Sequence, residues 1–384
     1  MPNSPRYDVA VVGAGVFGAW TAYQLAQSGQ SVVLLEAYGP AHSRASSGGE
    51  TRIIRMGYGP DELYTRWSVR SLRMWQEFSG RSGQPLFHRA GVLWMARKND
   101  PRAAQTEATL ARVGVRYERY ARRELEEKFP QISFDGVAWG LFEPDSGALM
   151  ARRAVQSVVE AAVSLGVQYR VAAALEPRGK GRLNCLRTSL GEEIPAATFV
   201  FACGPWLGKL FPKLLGGRIF PTRQEVFFFG VPPGSGQFSS PALPIWLDPG
   251  DEMYGFPDIE SRGFKIAHDH HGPAFDPDTG SRVVSERSLA RMRKYVAGRF
   301  PALARAPLAE SRVCQYENTS NGDFLIDRHP AWKNVWLVGG GSGHGFKHGP
   351  AVGEYVTARI LQGGEVERRF SLATKKKLQR RAIY

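Results

Sequence analysis

Gly13, Gly15 and Gly18 form a G-x-G-x-x-G turn around Ala14, Val16 and Phe17, and Glu36 closes the apolar run that follows. That set handles a dinucleotide. The first glycine permits a tight turn, the second lets backbone approach a pyrophosphate, and the third lets a helix lie close on a strand. The helix N-terminus offers free N–H groups to the phosphates, and the acid accepts hydrogen bonds from a ribose. The turn alone does not choose between NAD and FAD. Beyond Glu36 a glycine-rich loop, residues 39–50, brings Ser43 and Ser47 as further donors, although an ordinary surface loop has the same composition. Arg52 and Arg55 then flank Ile53-Ile54, a spacing suited to an anion or a ring.

The elements that must position these residues follow from pattern. Asp8–Val12 reads as a buried strand, Phe17–Ser28 as a helix stopped at Gly29, and Ser31–Leu35 as the next strand. A helix is expected over Asp61–Phe78, a hairpin or strand pair over Phe87–Ala96, a helix over 101–113 and a strand over Ala138–Phe142. Met150–Gly166 has helical period and leads into a strand, Val167–Val171. Thr198–Gly204 is the continuous apolar run of a buried parallel strand, which makes Cys203 a core thiol and puts Gly204-Pro205-Trp206 at a ligand-bearing sheet edge. Strand patterns dominate residues 220–320: Gln224–Phe229, Met253–Pro257 and Gly263–His268, interrupted by a helix over Ser285–Phe300. A strand at Asn334–Val338, the glycine-rich turn Gly339–Lys347 and a helix over Gly349–Leu361 close the chain. The fold class expected is α/β: a Rossmann-like domain joined to a second α+β domain on a largely antiparallel sheet.

At 384 residues the chain has room for two domains, and 43% hydrophobic residues suit a globular core. Three cysteines, Cys185, Cys203 and Cys314, are too few and scattered for a disulfide framework or zinc cluster, so a reducing compartment, the cytoplasm, is the default. Arg6 before an apolar stretch imitates a signal peptide, but the strand–glycine–helix reading explains those residues better, and no run is long enough to span a membrane. The net charge of +14 raises nucleic-acid binding. The excess is spread along the chain, with a local run at Lys375-Lys376-Lys377 and Arg380-Arg381, and no nucleic-acid motif accompanies it. A solvated basic surface is the better reading.

Taken together, the turn with Glu36, Thr51-Arg52-Ile53-Ile54-Arg55, Tyr254-Gly255-Phe256-Pro257, Lys265, Cys314 with Asp323–Asp327, and Ser342–Lys347 resemble the monomeric sarcosine oxidase group of D-amino-acid-oxidase-like flavoproteins. The resemblance spans nearly the whole chain. It implies FAD rather than NAD, and oxidation of the carbon–nitrogen bond of an N-substituted or cyclic amino acid to an imine. Dioxygen is then reduced to hydrogen peroxide, by a chain that can act as a monomer. The alternatives are a deglycating, fructosyl-amino-acid oxidase, an amino-acid dehydrogenase with another acceptor and, more remotely, a flavin-binding nucleic-acid-associated protein.

The resemblance further implies a thioether from Cys314 to the flavin ring, Arg52 against that ring and Lys265 in oxygen activation. It gives the substrate carboxylate to Arg55 and Lys347, with Tyr254 beside the substrate and Gly343, His344, Gly345, Phe346 and Lys347 at the flavin end. The FAD-binding domain is expected in residues 1–85, 150–219 and 321–384, and the substrate domain in 86–149 and 220–320.

Two positions depart from the group. Pro60 stands where an acid is usual. Asp269, not histidine, stands four residues after Lys265, among His268, His270 and His271. If the strand continues, Lys265 and Asp269 share a face and His268 and His270 look away, which leaves metal binding by this cluster poorly supported. An acid there pairs with a cationic amine, unless a bulge turns His268 or His270 inward.

Overall fold

The computed structural model describes residues 7–379, so Arg6 and the Arg380-Arg381 pair lie outside the described residues. Two large sheets carry the molecule. The first has the order Leu325–Arg328, Val335–Gly339, Glu193–Phe201, Tyr7–Val12, Val32–Glu36, Gln168–Val171, with Cys185–Arg187 added beside Glu193–Phe201. Its central strands run parallel, and only the pairings at Leu325–Arg328 and Cys185–Arg187 are antiparallel. Both faces are covered, which is why these strands read as unbroken apolar runs. Val9, Val11, Val32, Leu34 and Val200 enter one core, while Ala10, Val12, Val33, Leu35, Phe199 and Phe201 enter the opposite one. The helix Val16–Gln27 lies on the first face against Gly349–Leu361 and Ala151–Ser164.

The second sheet orders Leu308–Asn318, Phe220–Phe229, Phe264–His268, Met253–Phe256, Ile245–Asp248, Val92–Ala96, Trp139–Glu143 and Glu118–Ala121. It is antiparallel except where Ile245–Asp248 meets Val92–Ala96. Period-two alternation sorts its faces. Phe227, Phe229, Phe264 and Ile266 bury under the helix Glu286–Arg299, through Met292 and Val296. Val226, Phe228 and Ala267 pack together without the helix side. Lys265, between Phe264 and Ile266, is thereby turned away from the helix.

The expected hairpin at Phe87–Ala96 is not one. Phe87–His88 joins a small third sheet with Gly147–Met150 and Thr51–Ile54, and Val92–Ala96 joins the second large sheet. The break falls at Gly91, whose φ is 68°. Otherwise the expected helices appear within a few residues of their predicted ends: Glu62–Ser82 capped by the Asp61 side chain, Pro101–Val113 capped by Asp100, and Glu286–Arg299 capped by Ser285. Among the described residues no helix is long and apolar enough to cross a membrane.

Candidate active site

The parallel strands present their C-terminal ends at one edge, and a cleft of about 370 Å³ opens there. Gly13, Gly15, Val16 and Phe17 line it, with Glu36, His42, Ser46, Ser47, Gly204, Trp206 and, at the far end, Arg52, Cys314 and Phe346. The first turn is built as its glycines require. Gly13 has φ 101°, and a Cβ there would meet the Ala202 carbonyl oxygen at 2.4 Å. A Cβ on Gly18 would lie 1.8 Å from the Gly13 oxygen, so helix and strand approach closely only without it. Gly18 does this packing from behind the cleft wall.

Glu36 accepts from the Ala14 N–H at 2.8 Å and the Tyr38 N–H at 3.2 Å. Burial raises its pKa, and these backbone donors partly offset that. His42 stands 3.7 Å from Glu36, and burial with the charge of Arg282 holds its pKa down to about 4. Ser47 Oγ accepts from the Val16 N–H at 3.1 Å at the start of the helix. Ser43 is exposed and stands off the cleft, while Ser46 and His42, which the sequence did not single out, line it. Cys203 is held beside Val12, its Sγ 3.6 Å from the Val12 oxygen, and burial pushes its thiol far up. The cleft therefore fits FAD on its own observations: a tight glycine turn, a helix start whose N-cap, Gly15, brings no side chain over it, and an acid at the end of the second strand.

A smaller cavity of about 110 Å³ adjoins the far end. It shares Arg52, Cys314, Tyr316, Gly343 and Phe346 with the cleft and adds Thr51, Arg55, Gln224, Tyr254, Phe256, Asp269, His270, His271, His344 and Lys347. Arg52 Nη2 donates to Cys314 Sγ at 3.4 Å and to the Ser46 oxygen at 2.7 Å. Arg55 is buried between the Tyr58 and Trp94 rings, its Cζ 4.6 and 4.8 Å from their centroids, and donates to the Gly57 oxygen. Beneath it Glu143, fully buried, accepts from Met56 N at 2.6 Å, Gly57 N at 3.1 Å, Trp94 Nε1 at 2.8 Å and Ser146 Oγ at 2.7 Å. Glu143 thus fixes the turn that aims Arg55.

Lys347 Nζ donates to Tyr58 Oη at 2.7 Å and to the His344 oxygen at 3.0 Å. Burial, then the Arg55 charge, pushes its pKa well below the lysine range, and burial with the Lys347 charge does the same to His344 and His348. His344 faces this smaller cavity, stacks on Phe324 and bonds the Gly322 oxygen at 3.0 Å. Tyr254 is held up to about 12 by burial and the charge of Asp269.

Lys265 and Asp269 do not act on one spot. The strand ends at His268, and the Asp269 N–H donates to the Glu252 oxygen at 2.6 Å. Asp269 then faces the smaller cavity with Tyr316, whose hydroxyl lies 3.5 Å away, and its charge bears on Lys347. Lys265 Nζ instead donates to Thr51 O at 2.8 Å and Thr51 Oγ1 at 2.9 Å. Burial, then Arg52, lowers its pKa well below the usual range. His268 looks away toward Glu252 and Arg291, as alternation requires, while His270 and His271 reach the cavity wall. Among the described residues no group of three or more His, Cys, Asp or Glu is placed to hold a metal ion. Sequence reasoning missed Tyr58, Glu143 and Tyr316. Tyr316 shares the strand and the face of Cys314, a period-two signal that was available.

A dinucleotide cleft at a parallel sheet edge, joined to a cation-lined cavity under an antiparallel sheet, defines a flavoprotein oxidoreductase. Residues 8–359 match the family model described as DAO, FAD dependent oxidoreductase, and the chain belongs to that family, within its monomeric sarcosine oxidase group. It is 30% identical over 376 residues to "Monomeric sarcosine oxidase" of Bacillus sp. (strain NS-129), covering 96% of each chain. It is 30% identical over 358 residues to "Peroxisomal sarcosine oxidase" of Homo sapiens, covering 91% of this chain and 90% of that one. The structure of L-proline dehydrogenase from P. horikoshii superposes with a TM-score of 0.82 at 20% identity, covering 96% of this chain and 97% of that chain, a likeness of fold. The expected fold class, the family and FAD as the cofactor are thereby borne out.

Proposed function

We propose that this enzyme oxidises the carbon–nitrogen bond of an N-substituted or cyclic amino acid and passes the electrons to dioxygen. The observation that carries the reading is the pair of buried cationic side chains, Arg55 and Lys347, lining one small cavity that abuts the Arg52–Cys314 end of the FAD cleft. FAD, when bound, supplies the two-electron acceptor. The amine loses two electrons and becomes an imine, which water hydrolyses, and dioxygen takes two electrons and two protons as hydrogen peroxide.

Arg55 and Lys347 take the substrate carboxylate, the guanidinium in a bidentate grip. The negative charge of that carboxylate favours the charged form of Lys347, against the burial and the Arg55 charge that lower its pKa. Arg52 supports negative charge at the ring end of the cleft, and Lys265 serves the acceptor. Tyr254 bounds the substrate, and Asp269 receives its amine side. Glu36, Ser47 and the turn Gly13–Gly18 would hold the dinucleotide, Gly343, Gly345 and Phe346 would lie at its flavin end, and Cys314 would be the residue that links it. The Cys314 Sγ, lining both cavities beside Arg52, supports that linkage. The separation of strands between the two large sheets supports an FAD-binding body from 1–85, 150–219 and 321–384 and a substrate body from 86–149 and 220–320. Three free cysteines support a reducing, cytoplasmic location, and the likeness to relatives named monomeric sarcosine oxidase supports action as a monomer.

The test is a peroxide assay of the purified yellow protein against N-methyl, cyclic and glycated amino acids. Peroxide with an N-methyl or cyclic substrate is expected. Dye reduction without peroxide points to a dehydrogenase, and turnover of glycated substrates alone points to a deglycating oxidase.

A further inference from the structure

Glu317 stands in the wall of the FAD cleft, 7% exposed, on the strand that carries Cys314. Its Oε1 is shut off from water and has no hydrogen-bond partner. A buried carboxyl oxygen left without a partner costs free energy, and a fold keeps one where a ligand completes it.

The space around this carboxyl is closed on the protein side. A Cβ on Gly339 would lie 2.5 Å from Glu317 Oε1 and 3.0 Å from Leu207 Cδ2, so the bare glycine makes room for the acid. Burial lifts its pKa to about 7, although the Gly340 and Gly341 N–H groups pull the other way. Cys203 stands near enough to feel its charge, but burial keeps that thiol protonated. Neither neighbour neutralises the carboxyl, and the cleft is its open side.

Its place along the cleft decides what completes it. Cys314 lies three residues back on the same strand, about 10 Å away. Gly339 ends a strand two places from the one that feeds the Gly13 turn, again about 10 Å by strand spacing. Glu317 therefore stands between the turn, which suits the pyrophosphate, and the Arg52–Cys314 end, which suits the flavin ring. The part of FAD that joins those two is the ribityl chain, a row of hydroxyls. An ionised acid repels a phosphate, whereas a hydroxyl both donates and accepts and so suits the carboxyl in either protonation state.

We propose that Glu317 is a cofactor-binding residue whose carboxyl takes a ribityl hydroxyl of FAD. That role follows from FAD as the cofactor and does not depend on the amine substrate.

The test uses the full chain with Cys314→Ala, so that binding is reversible, stripped of flavin and titrated with FAD. The titration is repeated with FAD analogues that each lack a different ribityl hydroxyl, and quenching of flavin fluorescence gives each Kd. Glu317→Ala is expected to weaken FAD about tenfold. Toward one analogue that loss is expected to shrink to about twofold or less, because the partner hydroxyl is already gone. Glu317→Gln keeps an acceptor and a donor, and is expected to hold FAD within about threefold of its parent. Glu317→Met, of similar length without a hydrogen-bonding oxygen, carries the test if the alanine variant does not fold. Equal weakening toward FAD and every analogue is what a pyrophosphate contact or a purely structural role produces, and it overturns the proposal. Unchanged FAD affinity in Glu317→Ala or Glu317→Met overturns it as well.

Discussion

Arg55 and Lys347 are separated by most of the chain yet line one cavity, and their chemistry differs. Arg55 presents a planar fork clamped by the Tyr58 and Trp94 rings, and Lys347 a single point of charge on Tyr58 Oη. Arg55→Lys loses the bidentate grip. It is expected to weaken binding of a carboxylate inhibitor by about tenfold to a hundredfold, read by the perturbation of the flavin spectrum. Glu36 is satisfied by backbone donors, so its replacement harms the turn as well as the ribose contact. Glu36→Ala is expected to cost about 1.5–3 kcal/mol of FAD affinity, measured as flavin retained on gel filtration of a Cys314→Ala background. Cys314→Ala itself is expected to leave the fold intact and to release all flavin on acid precipitation. Flavin still bound to the precipitate places the linkage elsewhere. At this scale the sequence pointed to Arg52, Arg55, Cys314 and Lys347, which line the two cavities, because each sits in a motif. It did not carry Glu143 or Tyr58, whose roles come from packing that joins distant segments.

The elements explain why some expectations held and others slipped. The first turn was legible because its constraint is local: backbone strain at Gly13 and a close approach at Gly18 leave no room for any side chain. Gly18→Ala is expected to lower Tm by several degrees, following a cost of about 2 kcal/mol or more, and to give protein with little flavin, both read from one thermal scan and one absorption spectrum. Strand alternation also travelled well. It turns Lys265 from the helix side of its sheet and His268 away from the cavity. It stopped at Asp269, since the strand ends one residue earlier and the chain is then steered by the Glu252 carbonyl, a neighbour no pattern reveals. The pair Phe87–His88 and Val92–Ala96 misled for a similar reason. Two short apolar runs divided by a glycine look like a hairpin, and only tertiary pairing shows that they serve different sheets.

Across the whole molecule, the cofactor cleft belongs to the parallel sheet and the reacting cavity to its junction with the antiparallel one. Leu308–Asn318 runs between them, carrying Cys314 and Tyr316 toward the cavities and, near its end, Glu317 to the cleft wall. Burial lifts Glu317 to about 7 from an ordinary value of 4.5, against the backbone donors of Gly340 and Gly341. The folded chain favours the neutral acid, so stability from this group is full below the ordinary value and is lost as pH rises to about 7. In cofactor-free protein, Glu317→Gln is expected to flatten that decline and to be more stable than wild type at pH 8 by up to about 3 kcal/mol, read from denaturant midpoints. The central claim, that Arg55 and Lys347 present an amino acid to the flavin through its carboxylate, is tested most directly by anaerobic mixing. N-methyl and cyclic amino acids are expected to bleach the flavin of the wild type, whereas the matching amines without a carboxylate do not, and Arg55→Met loses the effect. Equal bleaching by amines lacking the carboxylate, or none by any amino acid offered, would contradict the account.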